Sequence, residues 1–184
     1  MEDQERIIGR GRFLELRDRG GWEYAHRTVG RAVVAIVAVD DDERVVLVEQ
    51  FRPAVGCPVL ELPAGLVGDQ HDDERFEEAA RRELLEETGF EARSWTNLLD
   101  VTSSSGLTDE RVRILVAEGL EQVGEGGGVD GERITIHLVD VATLGRWLSA
   151  RARAGDAIDS RVFAVPMFLE MAKGDEASAS PPPA

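Results

Sequence analysis

Hydrophobic positions along this chain come in short runs whose period changes from place to place. Ala32 to Val39 is an unbroken run of small and β-branched apolar residues, the composition of a strand buried on both faces. Asp40-Asp41-Asp42 breaks it, and a second run from Val45 to Phe51 follows. The triple Asp therefore reads as a turn between strands, since it lacks the Gly and closing Glu of a calcium loop. Upstream, Arg12 to Val29 alternates in short stretches interrupted at Gly20-Gly21, the pattern of an N-terminal β-hairpin. A short strand is expected around Leu60 to Leu62. From Glu74 to Thr88 the period becomes helical, with Phe76, Ala80 and Leu84 as the buried stripe and Gly89 as the terminator. Strands are expected over Ser94 to Val101, Arg111 to Ala117 and Arg133 to Val139. A helix over Ala142 to Arg153 follows, and a last one over Ser160 to Lys173, kinked at Pro166. Interleaved strands with one central helix and C-terminal helices predict an α+β chain, an α/β/α sandwich of mixed sheets.

A length of 184 residues, 42% of them hydrophobic, suits one main domain with a substantial core. The expected organisation is an N-terminal β region over 1–30, the main domain over 31–172, and a disordered tail over 173–184, which is Ser-rich and then Pro-rich. The net charge of −15 excludes a duplex nucleic-acid surface, which needs a basic stripe. It leaves room for a nucleotide ligand, because a cation can bring phosphates to an acidic pocket. Cys57 is the lone cysteine, so no intrachain disulfide forms; it reads as a small buried apolar residue. With a charged N-terminus and no apolar run of membrane-spanning length, a cytoplasmic protein without membrane contact is expected.

The candidate chemistry sits on the central helix. Gly68, Glu74, Arg82-Glu83-Leu84, Glu86-Glu87 and Gly89-Phe90 form the pattern G-x5-E-x7-R-E-U-x-E-E-x-G-U, where U is a bulky apolar residue. Helical spacing puts Glu83, Glu86 and Glu87 on one face. Three like charges so close repel, and a hard divalent cation such as Mg2+ or Mn2+ reverses the sign of that interaction. A solvated acidic face, with Arg82 pairing Glu78 and Glu86, is the plainer account. Nine specified positions in so short a window arise by chance on the order of once in 10^5 chains, which decides against it.

This stretch resembles the Nudix box at every defining position, and the resemblance implies the Nudix fold. Glu61-Leu62-Pro63-Ala64-Gly65 just before it is similar to the matching segment of the ADP-ribose pyrophosphatase subgroup. That subgroup implies a metal site from Glu83, Glu86, Glu87 and the Ala64 carbonyl. It implies that Arg52, ending Val48-Glu49-Gln50-Phe51-Arg52, grips the diphosphate, as a guanidinium can do bidentately. Glu132, after the glycine-rich Gly124 to Gly128 stretch, is the implied general base, with Asp130 and Glu110 as alternatives. Trp22 resembles a position that stacks the base, from a partner subunit in several relatives, and Arg27 and Glu61 are further binding candidates. In the Ser103 to Glu110 loop the subgroup's Ser-Pro-Gly becomes Ser104-Ser105-Gly106, which leaves the terminal group of the substrate open. Trp95 and Trp147 read as core; His26, His71 and His137 share no metal spacing.

The implied activity is metal-dependent hydrolysis of a nucleoside diphosphate linked to another moiety, with ADP-ribose giving AMP and ribose 5-phosphate as the leading case. A homodimer, domain-swapped through the N-terminal region, is the implied assembly. A GDP-sugar, NADH or an oxidised nucleotide are the alternative substrates, and a non-catalytic Nudix sensing domain is the alternative class.

Overall fold

The computed structural model describes residues 5–30, 32–68, 71, 73–129, 131 and 133–179, with side chains described as far as residue 174. An eight-stranded mixed sheet is built around β4 (Ala32–Val39), which runs parallel to β9 (Arg111–Gln122) and antiparallel to β7 (Ala64–Val67). Next to β4 lies β5 (Arg44–Arg52), which carries β6 (Cys57–Glu61) and β10 (Ile134–Asp140). The edges are β8 (Phe90–Thr102) beside β9 and β11 (Ala157–Ile158), parallel to β6.

The unbroken apolar run of β4 follows from this position. Ala35 and Val37 face one core, with Leu144 and Leu148 of α2 (Leu144–Ala154) and Val165 and Phe168 of α3 (Val165–Ala179). Val34, Ile36 and Ala38 face the other, with Ala79, Ala80 and Leu84 of α1 (Phe76–Thr88). A strand covered on both sides has no polar face to alternate with. The expected α/β/α sandwich is therefore present. Trp95 and Trp147 pack, half-buried, against the two cores, and Cys57 is half-buried at the start of β6.

Several boundaries differ from expectation for local reasons. The N-terminal region is a three-stranded antiparallel sheet, β1 (Glu5–Arg10), β2 (Leu14–Arg19) and β3 (Trp22–Arg27), rather than a single hairpin. Gly20 and Gly21, both with positive φ, make the turn between β2 and β3. The strand expected at Leu60 to Leu62 is two strands, β6 and β7, parted at Leu62-Pro63. Helix α1 starts at Phe76, after an extended Arg75 whose N–H donates to the Glu78 carboxylate at 2.9 Å, while the Glu74 carboxylate reaches back across the loop to accept from the Gly68 N–H at 2.9 Å. The last helix is a 3-10 turn, Ser160–Ala164, followed by α3. Pro166 falls in the first turn of α3, where a missing N–H costs nothing, and so does not kink a continuous helix. Helix α3 runs to Ala179, past Lys173 where the tail was expected to begin. Among the described residues no helix is long and apolar enough to cross a membrane.

Candidate active site

A cavity of about 490 Å³ opens where α1, β7, the end of β5 and five other segments converge. Glu83, Glu86, Glu87 and Arg82 form one wall, with Ala64, Gly65 and Leu66 beside them. Gln50 and Arg52 of β5 and Arg161 of the 3-10 turn form another, and Arg27, Val33, Glu110 and Val129 complete the lining.

On the helical wall, Arg82 serves as the hub. Its guanidinium donates to Glu74 at 3.1 Å, Glu83 at 2.7 Å, Glu86 at 3.4 Å and the Leu66 carbonyl at 3.1 Å. Glu74 is buried, which works to raise its pKa, but the Arg82 contact and the Gly68 N–H win and hold it below the ordinary value. Glu87, also buried, accepts from the Ala64 N–H at 3.1 Å. Gly65 admits the closest approach: a Cβ there would stand 1.9 Å from Cδ of Glu83.

This donor set fits Mg2+ or Mn2+ in kind. Every candidate ligand is an oxygen, three of them carboxylates, which is what hard cations take. Among the described residues no three acidic, His or Cys groups already converge as a metal cage. Glu83 and Glu86 turn instead toward Arg82, and Glu87 toward the Ala64 N–H. The charges lining the cavity also balance, with Arg27, Arg52, Arg82 and Arg161 against Glu83, Glu86, Glu87 and Glu110. An anionic ligand would add negative charge that this lining leaves uncompensated, and a divalent cation would supply the difference.

On the facing wall, Arg52 donates to Glu61 at 2.7 Å. Burial pushes the Glu61 carboxyl up, and Arg52 only partly offsets it. Beside this pair, Asp159 accepts from Nε and Nη2 of Arg161, both at 2.8 Å. Burial opposes ionisation of Asp159 too, yet the Arg161 contact prevails and its pKa is lowered. The segment is pinned there by β11 pairing with β6 and by the Asp159 N–H donating to the Leu60 carbonyl at 2.9 Å.

On the third side, Arg27 of β3 donates to Glu110 from Nε at 2.9 Å, so the N-terminal sheet reaches the site. A second cavity of about 630 Å³, lined by Glu15, Arg17, His26 and Asp109 among others, adjoins across this pair. The glycine-rich loop docks on the end of α1. Gly127 and Gly128 N–H groups donate to the Glu87 and Glu86 carbonyls at 2.9 and 3.0 Å, and those of Val123 and Gly124 to the Gly89 carbonyl. These bonds satisfy carbonyls that a helix end leaves open. The approach needs glycine, since a Cβ on Gly126 (φ 64°) would lie 2.4 Å from the Thr88 carbonyl carbon.

The structure thus gathers Arg52, Ala64, Glu83, Glu86, Glu87 and Arg27 into one cavity, with Glu61 directly behind Arg52. Glu132 and Asp130 lie outside the described residues. Trp22, 64% exposed at the tip of its hairpin, and Ser104 do not line this cavity in the single chain. His26 and His137 pair separately with Asp109 and Glu49. The sequence singles out neither Gln50, which stands there only as a neighbour of Arg52, nor Arg161, which belongs to no motif; only folding brings both to the wall. The Gly124 to Gly128 run was visible, but nothing local tells which carbonyls it meets.

Comparison with known proteins agrees with this geometry. A family profile described as the NUDIX domain matches residues 29–159. The chain is 42% identical over 91 residues to an ADP-ribose pyrophosphatase of Mycobacterium tuberculosis, covering 50% of this chain and 43% of that protein. It is 30% identical over 115 residues to a GDP-mannose pyrophosphatase of Cronobacter sakazakii, covering 58% of each. The chain therefore spans about half the length of the curated relatives it matches. A crystal structure described as an ADP compounds hydrolase shares the fold, with TM-score 0.69, 23% identity, and coverage of 91% of this chain and 92% of that one.

Proposed function

Because this chain belongs to the Nudix family, we propose that it hydrolyses a nucleoside diphosphate linked to another moiety, with ADP-ribose, cleaved to AMP and ribose 5-phosphate, as the leading substrate. The observation that carries this reading is a single cavity in which the carboxylates Glu83, Glu86 and Glu87 face the guanidinium of Arg52. The relatives named as ADP-ribose pyrophosphatases support the choice of substrate.

Glu83, Glu86, Glu87 and the Ala64 carbonyl would hold Mg2+ or Mn2+. When bound, such an ion neutralises diphosphate charge and makes a water more acidic. Arg52 binds phosphate oxygens with the part of its fork that Glu61 leaves over. Glu132 takes the proton from the attacking water, which displaces the leaving phosphate in line. Arg82 and Glu74 hold the loop and helix in register. By the same reading Arg27 would assist at the base, and Ser104 at the terminal group of the substrate.

The N-terminal sheet exposes Ile7, Ile8, Phe13, Leu14, Leu16 and Trp22, more apolar surface than a lone small sheet leaves in water. This supports a homodimer, domain-swapped through residues 1–30, in which Trp22 stacks on the base in the partner's site. Such stacking is worth about 1–3 kcal/mol. A GDP-sugar is the second reading, favoured by the likeness to GDP-mannose pyrophosphatases.

The test is turnover of ADP-ribose, GDP-mannose, NADH and 8-oxo-dGTP with Mg2+ or Mn2+, with and without EDTA, in wild type, Glu83→Gln and Glu87→Gln. Metal-dependent cleavage of ADP-ribose that both variants lose is expected. GDP-mannose as the best substrate with ADP-ribose among the poorest would replace the substrate assignment. Absence of any turnover would leave a sensing domain.

A further inference from the structure

The wall facing the box carboxylates carries two guanidiniums, those of Arg52 and Arg161. We propose that Arg161 is a second phosphate-gripping residue of this cavity, working beside Arg52 on the oxygens of the bound diphosphate; this rests on the pyrophosphohydrolase reading above. A guanidinium offers five N–H donors in a planar fork. Asp159 engages Nε and Nη2 of Arg161, each at 2.8 Å. Both Nη1 donors and the second Nη2 hydrogen therefore have no partner among the described residues, although the side chain is only 22% exposed and lines the cavity. These donors reach the water of the cavity, where an anion with several acceptor oxygens can take the water's place in charge-assisted bonds.

The residue is also held ready. Asp159 Oδ1 accepts from the Arg161 N–H at 2.8 Å as well as from its side chain, and the Asp159 N–H is tied to Leu60. The guanidinium plane is thus fixed before ligand arrives, and little side-chain entropy remains to be lost on binding. An ion pair between residues two apart needs no cavity to form. This one opens onto the space that Arg52 and the box carboxylates share. The arrangement favours ligands with two linked phosphates, which can reach both arginines, over those with one.

The experiment compares Arg161→Gln, Arg161→Lys and Asp159→Asn with wild type, using steady-state kinetics on ADP-ribose, thermal unfolding, and calorimetry with α,β-methylene-ADP and AMP in Mg2+. Arg161→Gln is expected to raise KM by about ten- to a hundredfold, the effect of charge-assisted hydrogen bonds, while kcat changes less than about threefold. The Kd for α,β-methylene-ADP should rise by the same factor and that for AMP by a smaller one. Arg161→Lys, which keeps the charge but not the fork, should fall between. Asp159→Asn should lower Tm as much as Arg161→Gln yet raise KM by a smaller factor.

Equal KM changes in Arg161→Gln and Asp159→Asn would make Arg161 a structural partner only and overturn the proposal. So would a wild-type KM in either Arg161 variant. Should Arg161→Gln not fold, Arg161→Lys decides by the same criterion. If wild type cleaves ADP-ribose and the Arg161 variants keep its KM, this inference fails alone. If wild type neither cleaves a nucleoside diphosphate nor binds α,β-methylene-ADP, the preceding reading fails and takes this one with it.

Discussion

Replacing Gly65 with alanine should separate the stability of the fold from the position of a single carboxylate. Gly65 lies in β7, and its φ is not among the positive ones, so the backbone there accepts an L residue. Such a substitution by itself stabilises by about 0.4–1 kcal/mol, through lost freedom of the unfolded chain. The new Cβ, however, would stand 1.9 Å from Cδ and 2.0 Å from Oε1 of Glu83. Non-bonded carbons rest at about 3.5–4.0 Å, so the carboxylate must move by about 1.5 Å or more. Glu83 sits at the end of a flexible side chain and can turn into the open cavity. What it forfeits is its 2.7 Å contact with Arg82, worth about 1 kcal/mol because Arg82 keeps Glu74 and the Leu66 carbonyl. The two effects nearly cancel, leaving stability within about 1 kcal/mol of wild type. Turnover should not be spared, since a displacement of about 1 Å at a reacting centre costs on the order of 10²-fold. Urea denaturation, a Mg2+ titration and kcat/KM on ADP-ribose measure the three quantities. A Gly65→Ala enzyme with wild-type Mg2+ dependence and turnover within about threefold would refute the placement of Glu83 at the chemistry.

Three more outcomes are expected. Gly126→Ala should destabilise by about 3–5 kcal/mol, from left-handed strain plus two or three lost docking bonds. Gly127→Ala (φ 101°), where a Cβ meets nothing within 4 Å, should carry the strain alone; equal losses in denaturant unfolding would remove the docking role. Glu132→Gln should lower kcat by on the order of 10²–10⁴-fold with Mg2+ affinity retained, and no change would shift the base to Asp130 or Glu110. The Asp159–Arg161 pair sets an acid limit. Because the folded pKa of Asp159 lies below its ordinary 3.8, its stabilisation is present above about pH 4 and is lost as pH falls through the folded value. Asp159→Asn should therefore flatten the loss of stability below pH 4 in urea titrations at stepped pH, and an unchanged slope would mean that the pair does not titrate so.

The parts of this molecule that were legible in the sequence are those governed by neighbours along the chain. Ala32 to Val39 announces a doubly covered strand, and Phe76, Ala80 and Leu84 a helix with one buried face, because side-chain period follows backbone geometry. The box reads as one carboxylate-bearing helix face for the same reason. Boundaries slipped where a side chain reached across a loop, as Glu74 does to the Gly68 N–H. They slipped again where a local rule admits two outcomes, as Pro166 does by opening a helix instead of bending one.

Element types, the family and one wall of the cavity could be read along the chain, since all three rest on spacing within a few turns or a single strand. What faces that wall depends on folding. Arg161 stands 74 or more residues from the box carboxylates in sequence, and no local pattern marks it as their neighbour. It arrives because burying apolar residues on both faces of one sheet fixes where β6, β11 and the 3-10 turn must lie. That burial is non-directional and summed over the whole core, so the meeting of charges at its edge could be read only once the core had closed.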